Sequence, residues 1–300
     1  MNNGILTRLI AARILKNLKT SFITYDDAFN KNILKYKLKK SDINLVQNIV
    51  LSTLRYCKIA DQILASLTVK INKKDISYFL IISGITQICY LNFKSYAVVN
   101  STCEAYKIMG DKKILNFING VLRNISKKKE LFQKSNWDKP KYPSWFKRNI
   151  KYLPSKKRKN LYKSLLVKPS LHLNFKTNKD IDNIKKRYIK TSCKSIAIKD
   201  NINIVDLEGY KSGRWWIQDY AATIPVKLMG DIYKKKVLDM CSAPGGKTFQ
   251  LINMGADVTS NDFSKKRLET MKENAKRLNY DIKILELNFL KINEKNKYEI

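Results

Sequence analysis

The sequence is short of the residues that build metal centres and disulfide frameworks. Its 300 residues include one histidine, His172, and five widely separated cysteines. No cysteine pair has the C-x-x-C spacing of a zinc site, and no disulfide framework is suggested. We therefore predict no metal site and a reducing, cytoplasmic location. The cysteines are Cys57, Cys89, Cys103, Cys193 and Cys241.

Acidic residues are also scarce, because 25 Asp and Glu face 59 Lys and Arg, for a formal charge of +34. Such an excess favours a polyanionic partner, either nucleic acid or an anionic membrane surface. Lysine, isoleucine and asparagine are all common here, so part of the excess reflects general composition. Too few acidic residues remain to balance the rest, and a basic surface is expected.

An uninterrupted membrane-spanning run is missing too. The longest apolar stretch, "ISYFLIISGITQICYLNF" at 76–93, contains Ser, Gly, Thr and Gln. At this borderline length a buried core helix is the better interpretation. The N-terminus carries charges every few residues, unlike a signal peptide. We expect a monomeric protein without a membrane partner.

The first part of the chain has helical periodicity. Apolar residues recur at helical spacing in 6–18, 45–54 and 114–125, and Asp75 is placed to cap the apolar stretch. Five or more amphipathic helices with short connections predict an all-helical bundle. We assign it to residues 1–130.

A basic segment follows at 127–163, where 14 Lys and Arg face 2 acidic residues. Interleaved aromatic side chains suggest an RNA-facing surface, because rings stack on bases while cations hold phosphates. The alternative is a solvated linker whose aromatic residues dock onto the next domain. The aromatic residues are Trp137, Tyr142, Trp145, Phe146, Tyr152 and Tyr162.

The rest of the chain alternates strands and helices. Short strands around a helix in "DIDNIKKRYIK" predict a small α+β module, which with the basic linker covers residues 131–212. From Gly213 onward the order is strand, glycine turn, helix, strand, helix, strand. This βαβ order predicts a parallel sheet over residues 213–300.

The first strand of that sheet ends in a glycine-rich turn, "VLDMCSAPGGKTFQL" at 237–251, which opens a helix. The free N–H groups of a helix N-terminus make this a ligand site by geometry. The glycine spacings of a P-loop and of a dinucleotide fingerprint are both missing. S-adenosyl-L-methionine remains, with Gly245 and Gly246 allowing close backbone approach.

That cofactor predicts an acidic residue after the second strand, to hold the ribose hydroxyls. Asp262 follows a strand predicted at Val258–Ser260 and lies 23 residues after Asp239. The alternative role is capping of the helix that begins near Lys265. The position at the ligand edge of the sheet favours cofactor binding.

These strings resemble a known family. "LDMCSAPGGKT" and "NDFSKKRLETMKENAKRLN" are similar to the cofactor half of the bacterial RNA (cytosine-5) methyltransferases, and "GYKSGRWWIQDYAATIPVKLM" to their upstream segment. "VLSTLRYCKIADQIL" and "FINGVLRNI" resemble the helical RNA-binding domain of NusB-type antitermination factors. This arrangement is that of the 16S ribosomal RNA (cytosine-5) methyltransferases. The implied fold class is α + α/β: a NusB-like bundle, a small α+β module and an incomplete Rossmann-like sheet.

The resemblance implies a set of cofactor-binding residues. Arg267 matches a basic position of the family, although a solvated helix face explains it equally well. Asn288 stands where the family has an aspartate near the adenine. The full predicted set is Cys241, Ser242, Ala243, Pro244, Gly245, Gly246, Lys247, Asp262, Arg267 and Asn288.

The family's catalytic cysteines have no counterpart in the chain. A cysteine thiolate adds to cytosine C6 so that C5 can attack the methyl group, and the family places its cysteines in D-A-P-C and T-C-S strings. Neither string occurs in the 300 residues, so no catalytic residue is assigned. We expect the chain to be the first three-quarters of a ribosomal RNA methyltransferase, either a fragment or a truncated product. The alternative is a non-catalytic RNA-binding protein on a degenerate methyltransferase remnant.

Overall fold

The computed structural model describes residues 3–21, 23–67, 71–109, 112–134, 142–199, 202–288, 290 and 298–300. The predicted helix end at Gly110 and the aromatic residue Trp137 lie outside these ranges. The chain divides into two compact units, Met1–Val167 and Lys168–Ile300. The finer division at residues 130 and 212 stays a prediction.

The described part of the first unit is helical, both within residues 1–130, where helices are predicted, and beyond them up to residue 166, where none is predicted. None of its helices, or of those in the rest of the described chain, is long and apolar enough to cross a membrane. The helices are α1 Asn3–Thr20, α2 Tyr25–Ile33, α3 Lys40–Leu67, α4 Ile76–Cys89, α5 Ser95–Lys107, α6 Lys112–Lys127, α7 Lys129–Lys134, α8 Ser144–Asn149 and α9 Ser155–Leu166.

The core of this unit is built around α4, whose residues are all buried. Asp75 begins the helix by accepting the backbone N–H of Ser77 at 2.8 Å, which confirms the predicted cap. Helices α1, α3, α5 and α6 pack around it. A methyl group on Gly84 would lie 2.9 Å from Leu122 of α6, so glycine permits this close helix contact.

The predicted apolar stripes of the bundle are largely buried. Ile118 and Leu122 of α6 and Ile49 of α3 are fully buried. Leu54 is an exception at 41% exposed, because Thr53 takes the inward-facing place beside it. Three helices of the described chain, α7, α8 and α9, begin within the basic segment.

The second unit begins with a four-stranded antiparallel sheet in the order β2-β3-β1-β4. Its core includes the fully buried Phe175 and Trp215. The strands are β1 Leu171–Phe175, β2 Ile189–Ser192, β3 Ser195–Ile198 and β4 Trp215–Ile217.

The helix predicted in "DIDNIKKRYIK" is wrong. A single 3-10 turn at Asn178–Asp180 precedes irregular chain, and Thr177 and Asp180 close this turn as a capping box. Ile181 and Ile184 are buried in the core of the antiparallel sheet. Their three-residue spacing imitates a helical stripe, but it serves two successive turns.

The parallel sheet follows in the predicted order, with β5, β6 and β7 adjacent and parallel. Backbone hydrogen bonds also join Glu299 N to Lys236 O and Leu238 N to Ile300 O, both at 2.9 Å, along the other edge of β5. The elements are α10 Tyr220–Lys227, β5 Lys236–Asp239, α11 Gly246–Asn253, β6 Asp257–Asn261, α12 Lys265–Leu278 and β7 Lys283–Leu285.

Arg277 of α12 connects the two sheets of this unit. Its guanidinium donates to the carbonyl oxygens of Tyr210 at 2.9 Å and Trp215 at 3.1 Å. It also lies over the Tyr210 ring, 4.4 Å from the centroid. Burial lowers the pKa of this guanidinium. The antiparallel sheet is therefore held against the parallel one.

Candidate functional site

The candidate site lies at the carboxyl ends of β5 and β6, where parallel sheets bind ligands. The loop after β5 closes with a hydrogen bond from Gly245 N to Ser242 O at 2.8 Å. Ser242 N in turn donates to Asn261 O at 2.9 Å, which ties the loop to the end of β6. The predicted loop residues therefore stand beside the predicted acidic residue.

Asp262 supports this arrangement directly. Its carboxylate is buried, and it accepts the N–H of Ala243 at 3.2 Å and the N–H of Ser264 at 2.9 Å. A carboxylate has about four lone-pair sites, so two remain for a further donor. The alternative role, capping of α12, is not fulfilled, because Ser264 precedes the helix and α12 begins without a side-chain cap hydrogen bond. Asp262 thus has a structural role and capacity for a ligand.

Close packing explains the two glycines of the loop. Gly245 precedes α11 with φ of +107°, and a methyl group there would lie 2.4 Å from the Phe249 ring. A methyl group on Gly246 would lie 3.3 Å from Gln218. Both glycines therefore let α11 begin close to buried side chains, whether or not a ligand also approaches the backbone.

Helix α11 starts without a side-chain cap. Its first N–H groups carry the partial positive charge of a helix N-terminus, which suits a carboxylate. Thr248 in its first turn donates its hydroxyl to the Asp239 carboxylate at 2.7 Å, holding the helix to the end of β5. Burial raises the pKa of the Asp239 carboxyl, although this hydrogen bond and the charge of Lys247 act in the opposite direction.

The remaining predicted residues stand at the rim. Cys241, Pro244 and Lys247 are exposed in the loop, and Arg267 is exposed on the first turn of α12. Asn288 is exposed three residues after β7, and its side-chain oxygen accepts the N–H of Leu290 at 3.1 Å.

Sequence reasoning missed Asn261, a buried residue that joins all three strand ends. Its side-chain amide donates to Met240 O, and its side-chain oxygen accepts the N–H of Leu287, both at 3.2 Å. No local signal distinguishes it, because an asparagine at the end of a strand is typical of a turn.

A second missed group is a pair of buried glutamines behind the loop. Gln218 donates to the side-chain oxygen of Gln250 at 2.8 Å and accepts from the Trp216 indole at 2.9 Å. Gln250 donates to Thr223 O at 3.0 Å. These bonds join β4 and α10 to α11 and so fix the position of α11.

The only histidine in the sequence has a structural role. His172 Nδ1 accepts the backbone N–H of Tyr220 at 2.9 Å, which ties β1 to the start of α10. Within the described ranges no group of His, Cys, Asp and Glu could hold a metal ion.

Comparison with known proteins agrees with this division into helical and sheet-containing units. Residues 6–127 match the NusB family, and residues 230–298 match the family described as 16S rRNA methyltransferase RsmB/F. The chain is thus similar to the NusB family in its helical part and to the RsmB/F methyltransferases over residues 230–298.

Over most of its length the chain is similar to curated proteins named ribosomal RNA small subunit methyltransferase B. The protein of Photorhabdus laumondii is 26% identical over 82% of this chain and 61% of its own length. A Coxiella burnetii protein named probable ribosomal RNA small subunit methyltransferase B is 29% identical over 80% of this chain and 60% of its own. The chain therefore spans about three-fifths of the length of these relatives.

The fold is also found in a solved structure. The crystal structure of PH0851 superposes with a TM-score of 0.64 at 15% identity, covering 96% of this chain and 70% of the other. The predicted fold class, a NusB-like bundle ahead of a methyltransferase-type sheet, is confirmed.

Proposed function

We propose that the chain binds S-adenosyl-L-methionine at the β5–α11 turn and that the complete protein methylates C5 of a cytosine in 16S ribosomal RNA. The observation that carries the proposal is the buried Asp262 carboxylate, bonded to the loop at 241–247 and still able to accept. The relatives' names support an RNA-methylating role. Such a substrate implies a cytoplasmic protein.

The donors and acceptors of the site fit this cofactor. Asp262 would accept from the ribose hydroxyls, and the N-terminus of α11 would face the amino-acid carboxylate. Asn288 follows β7, where it would contact the adenine. When bound, the cofactor supplies a methyl group on a positively charged sulfur. The residues of this chain would hold and orient it.

Calorimetric titration with S-adenosyl-L-methionine tests the proposal. We expect Asp262→Ala to weaken binding by about 1–3 kcal/mol, the cost of lost hydrogen bonds to a polar partner. Asp257→Ala is the matched control. Asp257 begins β6, the strand that Asp262 follows, and forms an exposed ion pair with Lys283 at 2.7 Å. Equal affinities for the wild type and Asp262→Ala would remove Asp262 from the site.

A further inference from the structure

The first unit contains a basic hairpin that is rich in aromatic residues. It comprises residues 142–166, that is α8, the connecting turn and α9. Eight Lys and Arg and no acidic residue occur in it, and neither helix has a buried residue. The basic residues are Lys147, Arg148, Lys151, Lys156, Lys157, Arg158, Lys159 and Lys163.

Three of its aromatic rings pack against one another and stabilise the hairpin. Tyr142 stacks on Tyr162 with ring centroids 5.0 Å apart, and Phe146 lies 5.1 Å from Tyr142. The Arg158 guanidinium donates to Lys151 O at 2.9 Å and closes the turn. Tyr56 of α3 donates its hydroxyl to Leu166 O at 2.9 Å, which anchors the end of α9 to the bundle.

Two other aromatic rings point outward among the cations. Trp145 is 57% exposed and Tyr152 is 81% exposed. Lys151 Nζ lies 4.7 Å from the centroid of the Tyr152 ring, so a cation flanks this ring. Within the hairpin, Tyr142, Phe146 and Tyr162 are thus partly buried, whereas Trp145 and Tyr152 are exposed. The Trp145 ring packs with its edge against Phe146, at a centroid distance of 5.7 Å, and still exposes more than half of its surface.

We propose that the basic hairpin binds single-stranded RNA, with unpaired bases stacked on Trp145 and Tyr152 and phosphates held by the surrounding lysines. Exposed rings beside cations on a rigid support are the arrangement that binds single strands with little sequence preference. Paired bases cannot offer their faces to such rings, so a duplex would use the charge alone. The inference rests on the proposed function only in taking RNA as the nucleic acid.

Binding of a labelled, unstructured pyrimidine oligoribonucleotide to the full 300-residue chain tests the stacking. We expect Trp145→Ala and Tyr152→Ala each to weaken binding roughly 5- to 160-fold, the range for loss of one stacked base. Tyr152→Phe keeps the ring and should bind as the wild type does. Tyr96→Ala removes a ring that is 73% exposed on α5 and is the matched control.

The salt dependence separates stacking from charge. Lys156→Ala with Lys157→Ala should reduce the slope of log affinity against log salt by about 1.4, since a single strand contributes about 0.7 per phosphate contact. Trp145→Ala should lower affinity while the slope stays unchanged. A duplex of equal length should be insensitive to the aromatic variants.

Three results would overturn the inference: equal binding by Trp145→Ala, Tyr152→Ala and Tyr96→Ala; equal sensitivity of duplex and single strand to the ring variants; or no RNA binding at low salt. Cofactor titration on the same samples distinguishes this failure from failure of the proposed function. A variant that binds S-adenosyl-L-methionine normally but loses RNA has lost the hairpin surface alone.

Discussion

Individual polar side chains at the strand ends hold the fold together, and one of them can also accept a ligand. Asp262 accepts two backbone N–H groups and keeps unused acceptor capacity, and Asn261 links three strand ends. Each bond to the Asp262 carboxylate is worth about 1.5–3 kcal/mol, the range for a charged partner. A substitution of Asp262 therefore destabilises the loop as well as weakening ligand binding. The free energy of unfolding of each variant is therefore measured together with its affinity.

The partly buried carboxyl of Asp239 predicts a pH dependence. Burial raises its pKa, so the folded state holds the proton more tightly than the unfolded state does. Its contribution to stability is therefore present at low pH and is lost as pH rises from about 3.9, the unfolded value, through the raised folded value. Asp239→Asn should thus gain stability relative to the wild type as pH rises from about 3.5 to 7.

Urea unfolding of both proteins across this pH range measures the effect. Thr248→Val provides the complementary variant, because it removes the hydroxyl that favours the charged carboxylate. It should make the pH-dependent loss larger than in the wild type. A constant difference between Asp239→Asn and the wild type at all pH values would contradict the prediction.

At the scale of elements, the start of α11 depends on a backbone conformation that side chains rarely adopt. Gly245 combines a left-handed φ with a methyl position 2.4 Å from Phe249. Gly230 also has a positive φ, of +73°, but no atom lies within 4 Å of its methyl position. Substituting each glycine in turn therefore distinguishes the cost of backbone strain, which both positions carry, from the cost of steric conflict, which only Gly245 carries.

We expect Gly245→Ala to lower the free energy of unfolding by about 2–4 kcal/mol, the sum of backbone strain and overpacking. Gly230→Ala should cost about 1–2 kcal/mol, from backbone strain alone. Denaturant unfolding measures both losses, with one shared slope of the free energy of unfolding against denaturant concentration. Similar losses for the two variants would show that Phe249 moves away without cost. Cofactor affinity should fall in Gly245→Ala only, because only this loop contacts Asp262.

At the scale of the whole molecule, the cysteines are poorly placed for base methylation. Burial raises the pKa of the Cys57, Cys89 and Cys103 thiols, that of Cys89 to about 11. A raised pKa makes a thiol a weak nucleophile at neutral pH. Cys193 lies in the turn between β2 and β3, and Cys241 begins the loop after β5.

We therefore predict that the 300-residue chain binds S-adenosyl-L-methionine and RNA but transfers no methyl group. The assay incubates the chain with unmethylated ribosomal RNA and labelled cofactor, and a longer protein containing the D-A-P-C and T-C-S strings is the positive control. Label at cytosine C5 that disappears in Cys241→Ser would show that Cys241 is the nucleophile. Normal transfer by a chain lacking both strings would contradict the resemblance-based assignment.

The sequence by itself determined the order of helices and strands, the parallel sheet and the position of the glycine turn. The apolar run of α4, the helical periodicity of α6 and the strand–turn–helix order around Gly245 are local properties of the sequence. Such patterns persist whatever packs against them. Two segments are exceptions: the basic segment, where α8 and α9 are not predicted, and the segment after Thr177, where Ile181 and Ile184 have helical spacing but lie in two turns.

Only the tertiary structure decided which side chains meet. The bonds of Asp262 to Ala243 and of Gln218 to Gln250 join residues 19 and 32 positions apart. The exposure of Trp145 and the partial burial of Phe146 likewise depend on how α8 and α9 fold together. Side-chain exposure and hydrogen bonding depend on neighbours that are distant in the chain, and no local pattern encodes them.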